Sequence, residues 1–220
     1  MNYRSILKTV GVMLVLFGLI DLALMIYCVV NGLGYSSSFN IFAIAAGVFL
    51  MRGSLRAAHV ITVLCAFIMG AVIGVTLLIL PFVLPIGLLV TQVKLYPGQS
   101  LLSWLAALLW LGLLVWTYRQ LRKAPVLEAS RAAGRRMARP YFTFGVGLAF
   151  AILMAALLHV TLHGAAASKA VALVRQQLGP GYKYATQSIQ WGGGRGRAVA
   201  AAYNDHEIKY VPVRWDDQEP

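Results

Sequence analysis

Asp21 is an acidic residue inside a long apolar run, residues 10–30, that is long enough to cross a membrane. A carboxylate is costly in hydrocarbon, so such a residue indicates a proton relay, an ion site or a contact with a partner's cation. No Lys or Arg lies at a matching depth in another predicted span. We therefore favour a neutral carboxyl hydrogen-bonded to a group such as Asn40 or Thr76, or a contact with a partner, over transport.

His159 and His163 stand four residues apart near the end of the last apolar run, a spacing that places two imidazoles on one helical face. Zinc or copper binds such a pair when one or two further ligands complete the site. The nearest additional ligands are Asp205, His206 and Glu207, and their spacing along the chain does not place them beside the pair. The sequence therefore predicts interfacial histidines without a bound metal.

The glycine-rich segment from Gly192 to Gly196 is similar to phosphate-binding loops, but it lacks their Lys-Ser/Thr ending and does not open a helix. A hairpin turn is the favoured interpretation. The sequence also lacks a nucleophile elbow, a zincin helix, paired catalytic carboxylates and paired CxxC motifs. We therefore predict a protein that is not an enzyme and that has no cofactor.

The composition indicates an integral membrane protein. Apolar residues make up 60% of the 220-residue chain and charged residues 12%, with a mean hydropathy of +0.74. Soluble domains carry about twice this fraction of charge. The formal net charge of +12 comes mostly from residues that flank apolar runs, which favours topology signals and contact with anionic lipid over nucleic-acid binding.

A basic loop at 117–140 sets the predicted orientation. Short loops rich in Lys and Arg stay on the cytoplasmic face of a membrane. The basic residues that we expect to contact lipid headgroups there are Arg119, Arg122, Lys123, Arg131, Arg135, Arg136 and Arg139. With this loop inside, the N-terminus is predicted to be cytoplasmic and the C-terminus periplasmic, in a bacterial inner membrane.

The predicted fold is a membrane all-α bundle of about five transmembrane helices in a domain that covers residues 1–163. The spans are placed at 10–30, 36–51, 57–80, 101–116 and 141–160. A span needs ~20 residues to cross ~30 Å of hydrocarbon, so the second is the shortest of the five. Ala43 with Gly47, and Gly70 with Gly74, have the small-xxx-small spacing that predicts close helix packing, within the bundle or between copies.

The remaining residues, 164–220, mix both signs of charge and predict a small periplasmic α+β module, a helix followed by a three-stranded antiparallel meander. Ser168 is predicted to cap the helix and Gly179 to end it. The strands are predicted at 182–191, 198–203 and 207–215. A module of about 55 residues has a thin core, so we expect it to lean on the last span or on a partner.

The order of membrane helix, short helix, Leu178-Gly179 and strands resembles the cytochrome oxidase assembly factor 1 family over the last quarter of the chain. The multi-span anchor departs from the single-span plan of that family. We expect a non-enzymatic accessory or assembly protein that presents its module to a protein partner or membrane complex, or a homo-oligomer. The alternatives are a small ion or solute transporter or channel, supported by Asp21 and the Pro81 to Pro85 region, and a toxin-immunity membrane protein.

Overall fold

The computed structural model describes residues 2–32, 40–79, 85–134 and 140–216. Most of these residues are helical, and three strands follow the last helix. The helices are α1 (Tyr3–Val30), α2 (Asn40–Met51), α3 (Leu55–Gly74, continued by a π-helical turn, Val75–Ile79), α4 (Ile86–Leu95), α5 (Pro97–Leu121), α6 (Ala124–Ala132), α7 (Pro140–His163) and α8 (Ala165–Leu178). The strands are β1 (Lys183–Gly192), β2 (Arg195–Tyr203) and β3 (Ile208–Asp216).

Four helices among the described residues are long and apolar enough to cross a membrane, so the chain is a multi-pass membrane protein. These candidate spans are Tyr3–Val30, Leu55–Leu77, Pro97–Leu121 and Tyr141–His163. They coincide with the first, third, fourth and fifth predicted spans. The fourth extends beyond the predicted 101–116 at both ends, because the polar residues near its termini continue the helix.

The predicted count of about five spans is not matched exactly, because the described helix α2 has twelve residues. At ~1.5 Å per residue it covers roughly 18 Å, well short of a ~30 Å hydrocarbon core. The helix ends where Arg52 and Gly53 follow Met51, and Gly53 takes a positive φ of 74°. Residues 36–39 of the predicted second span lie outside the described residues.

The chain divides into two compact units, and the first comprises Met1–Met69 and Trp110–Gly145. Its core is a cluster to which five helices contribute. The members include Leu7 and Val10 of α1, Leu50 of α2, Ala58 and Ile61 of α3, Leu121 of α5 and Val126 of α6. Since Leu7 and Leu50 share this cluster, α2 runs antiparallel to α1. Basic residues follow or precede the cluster closely in sequence, among them Arg4, Arg52, Arg56, Arg119 and Lys123.

The second unit comprises Gly70–Leu109 and Val146–Pro220 and contains the predicted three-stranded antiparallel sheet, in the order β1-β2-β3. The two-residue turn Gly193-Gly194 joins β1 to β2, and both residues take positive φ angles, 60° and 80°, as a tight hairpin turn requires. A bulge interrupts β1 at Gln187. The units do not follow the predicted domain boundary between residues 163 and 164, which stays a prediction.

The helix of the module begins earlier than predicted. Only Gly164 separates α7 from α8, and α8 starts at Ala165 rather than after a Ser168 cap. The Ser168 hydroxyl instead donates to the Gly164 carbonyl oxygen over 3.3 Å, one turn back along the helix. The Ser168 cap is therefore wrong, because alanines with high helix propensity extend the helix to the end of the span. Gly179 ends α8 with a φ of 77°, as predicted.

A different helix packs on part of each face of the sheet. On one face, Ala170 and Val174 of α8 pack on Ala198 and Ala200 of β2 and on Val213 of β3. On the other face, Leu88 of α4 packs on Ala201 and Tyr203. Successive residues of a strand point to opposite faces, so this alternation places β2 between two helices.

Candidate functional site

Asp21 lies in α1 with a half-buried side chain. Of the two groups suggested as its hydrogen-bond partners, Thr76 lies in the π-helical turn and donates its hydroxyl proton to the Val72 carbonyl oxygen at 2.9 Å. The side chain of Asn40 lies outside the described residues. The Thr76 hydroxyl therefore donates its hydrogen bond within its own helix.

His159 and His163 come together as their spacing predicts. Their rings stack with centroids 4.5 Å apart and planes inclined by 24°, and Nδ1 of His163 lies 3.2 Å from the His159 carbonyl oxygen. No group of three or more His, Cys, Asp or Glu side chains that could hold a metal ion is found in the described part of the chain. His206 lies in the turn between β2 and β3, where its amide donates to Asn204 Oδ1 over 2.9 Å.

Two of the four small residues singled out from sequence, Gly47 and Gly74, lie at helix contacts. A side chain at Gly47 would meet the Gly11 carbonyl oxygen, and one at Gly74 would clash with the Cβ of Ala151 in α7. Gly70 is buried and Ala43 half-buried. The partner residue Gly11 was not singled out, although its position seven residues before Gly18, which is also buried, was a signal for a close helix face.

The described basic residues of the predicted loop lie in the last turn of α5, in the two-residue linker after it and in helix α6. Arg119, Lys123 and Arg131 are exposed. Arg122 is half-buried and stacks over the Tyr118 ring at 5.6 Å while donating to its hydroxyl at 3.2 Å. Arg135, Arg136 and Arg139 lie outside the described residues.

A helix-to-sheet contact within the second unit fixes the module to α4. The ring of Tyr203 lies so close to the backbone of Gly87 that a Cβ there would be 3.2 Å from Tyr203 Cε2. Leu88 is buried in the same contact, against Ala201. Burial raises the pKa of the Tyr203 hydroxyl. Gly87 is thus the residue that lets the aromatic ring reach the helix.

The turn end of the sheet gathers aromatic and basic side chains. The indole of Trp215 covers Gly196, where any side chain would clash with it, and Trp191 is 58% exposed on the neighbouring strand. Arg195 Nε pairs with Asp216 Oδ2 at 2.7 Å. The sequence alone did not predict this cluster. The sequence shows that Arg195 and Arg197 alternate along β2. Only the strand register shows that Trp191 and Trp215 lie on the strands on either side of them.

A polar cluster closes the opposite end of the sheet. Tyr182 donates its hydroxyl proton to the Glu207 carboxylate, and Lys209 Nζ lies 2.7 Å from Glu207 Oε1 and 2.9 Å from the Tyr182 hydroxyl. Hydrogen bonds from Lys209 and Tyr182 hold the pKa of Glu207 below its usual range. The same carboxylate raises the pKa of Lys209.

Fold and site together define a multi-pass membrane protein that carries a small α+β module, with the sheet of the module docked on an apolar helix. Comparisons with protein-family models, with curated proteins and with solved structures find no match for this chain.

Proposed function

We propose that the chain is a non-enzymatic accessory protein of a bacterial inner membrane that presents its C-terminal module, on the periplasmic side, to a protein partner. The contact between Tyr203 and α4 carries this proposal, because it holds the sheet in a fixed position on the short apolar helix that lies between two candidate spans in the sequence. The single residue between α7 and α8, Gly164, adds a second attachment. A sheet fixed in this way is suited to docking a partner without a large loss of conformational freedom.

The edge of β1 is the part of the module best suited to a partner's strand. Among the described strands β1 pairs only with β2, and its last residues, Gln190 to Gly192, are exposed. The opposite edge strand carries Pro212, which has no N–H to donate to an added strand. An extended segment of the partner can therefore pair with the part of β1 that follows the bulge at Gln187.

The predicted orientation is supported by the core of the first unit. Leu7, Leu50, Ala58 and Leu121 meet in one cluster, and each is followed or preceded by basic residues within a few positions. Basic helix ends that gather in one place belong on the cytoplasmic side. Although α2 is short, its antiparallel packing on α1 returns the chain to this cluster, which supports the proposed periplasmic C-terminus.

The experiment uses two substitutions of one residue. Gly192 and Arg195 flank the two-residue turn and form a hydrogen-bonded pair, so the N–H of Trp191 points to the open edge. Trp191→Pro removes this donor together with the indole, whereas Trp191→Ala removes the indole alone. We expect a stoichiometric partner to copurify from native membranes, in mild detergent, with the wild type and with W191A but not with W191P.

A chain truncated after residue 163 is the second arm of this experiment, and it is expected to lose the partner as well. A wild-type chain that purifies alone or as a homo-oligomer would end the accessory proposal, and ion flux with Asp21→Asn would be the next measurement. Retention of the partner by W191P would move the contact away from the β1 edge. A reporter fused after Pro220 that is active only in the cytoplasm would overturn the orientation.

A further inference from the structure

We propose that the sheet face opposite α8 binds anionic phospholipid headgroups of the membrane that the chain spans, through Arg197 and Arg214. Arg197 and Arg214 belong to the second unit of the molecule, whereas the basic residues around α6 belong to the first. The lipid contact goes beyond the proposed protein contact at the β1 edge and does not depend on it.

The strand register places the two guanidinium groups side by side. Arg197 pairs with Gln190 on one side and with Arg214 on the other, so the three residues form one row across the sheet. All three are exposed. Like charges directly opposite each other destabilise a sheet. In the described ranges, no carboxylate forms an ion pair with either arginine, so a bound anion would relieve this repulsion.

This arginine row shares its face with the docking contact of α4. Residues 197, 201 and 203 of β2 point to the same side, because strand side chains alternate. At 201 and 203 that side is covered by Leu88 and Gly87 of α4. The opposite stripe of α4 exposes three apolar residues, Ile86, Val90 and Val93, at helical spacing. A stripe of this kind lies in the membrane interface, so the sheet face behind it is directed toward the bilayer.

The turn between β1 and β2 lies next to the point where the last span ends. A cavity of about 280 Å³ is lined by Ala165 and Ala166 of α8 together with Trp191, Arg195 and Trp215. Ala165 stands only two residues after His163, the last residue of α7. The Trp- and Arg-bearing end of the sheet is therefore at the depth where a membrane span meets its headgroups, and Trp and Arg are the side chains that favour this depth.

The shape of the site suits a phosphate-bearing headgroup. A shallow groove of about 590 Å³ runs along the end of the sheet and is lined by Gln190, Trp191, Arg197, Arg214 and Trp215, among others. Planar guanidinium groups bind phosphate oxygens in pairs, as the Arg197–Arg214 row can do on its face of the sheet. Because the site lies beside the membrane, we expect its phosphate ligand to be a lipid headgroup and not a free anion.

The test uses the full chain reconstituted in nanodiscs of phosphatidylcholine or of an equimolar mixture with phosphatidylglycerol. Native mass spectrometry after mild release measures how much phosphatidylglycerol stays bound. Arg197→Gln is expected to lower its affinity about fivefold, the factor expected for one cation near an anionic surface, and Arg197→Gln with Arg214→Gln to lower it further. Arg175→Gln, which removes one cation from exposed α8, is the matched control and is expected to leave the affinity unchanged.

A second measurement keeps the proposal testable if a charge variant folds poorly. A spin label on Gln190→Cys, with Cys28 and Cys65 replaced by Ala, should be relaxed by nickel chelated to lipid headgroups, whereas a label on Arg175→Cys should not. Equal relaxation of both labels, or equal phosphatidylglycerol affinity of the Arg197 and Arg175 variants, would overturn the proposal. So would loss of a copurifying protein from the Arg197 variant with unchanged lipid retention, since the row would then bind an acidic protein segment.

Discussion

Gly11 of α1 and Gly47 of α2 pack backbone against backbone. A Cβ at Gly11 would lie 2.6 Å from the Gly47 carbonyl oxygen, and one at Gly47 would lie 2.5 Å from the Gly11 carbonyl oxygen. Real side chains do not fit such gaps, so this pair lets two helices approach as closely as their backbones allow.

Gly11→Ala is therefore expected to lower the free energy of unfolding by ~2 kcal/mol, as overpacking of a tight contact does. Gly112→Ala is the control, because Gly112 lies inside helix α5 and no neighbouring atom is within 4 Å of the place that its new methyl group would take. In a helix interior, replacing Gly by Ala raises the free energy of unfolding by up to ~1 kcal/mol. Thermal unfolding of the purified chain in detergent measures both changes, and an equal response of the two variants would show that the α1–α2 contact is not tight.

Thr117→Val is expected to stabilise the protein or leave its stability unchanged. The Thr117 side chain is 1% exposed, and its hydroxyl has no hydrogen-bond partner in the described part of the chain. Replacing an unsatisfied buried hydroxyl by a methyl group of the same shape removes a desolvation penalty of ~1 kcal/mol or more.

Thr62→Val is the matched control for this prediction. Thr62 is 6% exposed and donates to the Ala58 carbonyl oxygen over 2.7 Å, so its replacement removes a made hydrogen bond worth about 1 kcal/mol. Unfolding in a detergent series compares the two variants. A larger loss of stability for Thr117→Val than for Thr62→Val would contradict the assignment of Thr117 as unsatisfied.

Tyr203→Ala is expected to free the sheet from α4. The substitution removes a buried aromatic ring, at a cost of ~3 kcal/mol, and leaves Gly87 without its neighbour. Amide hydrogen exchange in residues 86–95 should rise. Tyr203→Phe keeps the ring and should protect α4 as the wild type does, and Tyr210→Ala, at a residue that is 57% exposed, should have no effect on α4. Unchanged exchange in the Tyr203→Ala protein would show that α4 is held by other contacts.

Low pH is expected to weaken the hydrogen bonds among Tyr182, Glu207 and Lys209. The pKa of Glu207 is lowered in the folded protein, chiefly by the hydrogen bond from Lys209, so its contribution to stability is present above the ordinary pKa of a glutamate. That contribution disappears as the pH falls through the lowered value. Lys209 has a raised pKa, so its contribution is present below its ordinary value and disappears in strong alkali.

Far-UV circular dichroism during thermal unfolding at a series of acidic pH values measures this effect. Glu207→Gln should unfold at a temperature that depends less on pH than in the wild type, because the titrating carboxylate is gone. The groups are exposed, so the effect is small and decreases with salt. If the unfolding temperature of Glu207→Gln depends on acidic pH as strongly as that of the wild type, other carboxylates cause the effect.

The class of fold follows from local patterns, whereas the site depends on register and contact. Four long apolar runs and the glycine turn at Gly193-Gly194 are readable from the sequence, because span length and turn conformation are set by neighbouring residues. The start of α8 was less accurate. Helix ends are decided by a balance of propensity and capping, and the alanines before Ser168 extend α8 to Ala165.

The sequence did not predict contacts between residues that lie far apart along the chain. Arg197 and Arg214 become neighbours only when β2 and β3 pair in one register, and a shift by one residue would send them to opposite faces. Likewise nothing near Gly87 in the sequence points to Tyr203, which lies more than a hundred residues further on. His159 and His163 came together as predicted because both belong to one helix.

The short length of α2 has a consequence for how the protein is made. A helix of twelve residues is too short to cross the hydrocarbon core without a neighbour. The surface around Gly11 of α1, against which Gly47 packs, supplies such a neighbour. We therefore expect the two helices to insert together, with the Gly11–Gly47 contact formed before the rest of the chain has been synthesised.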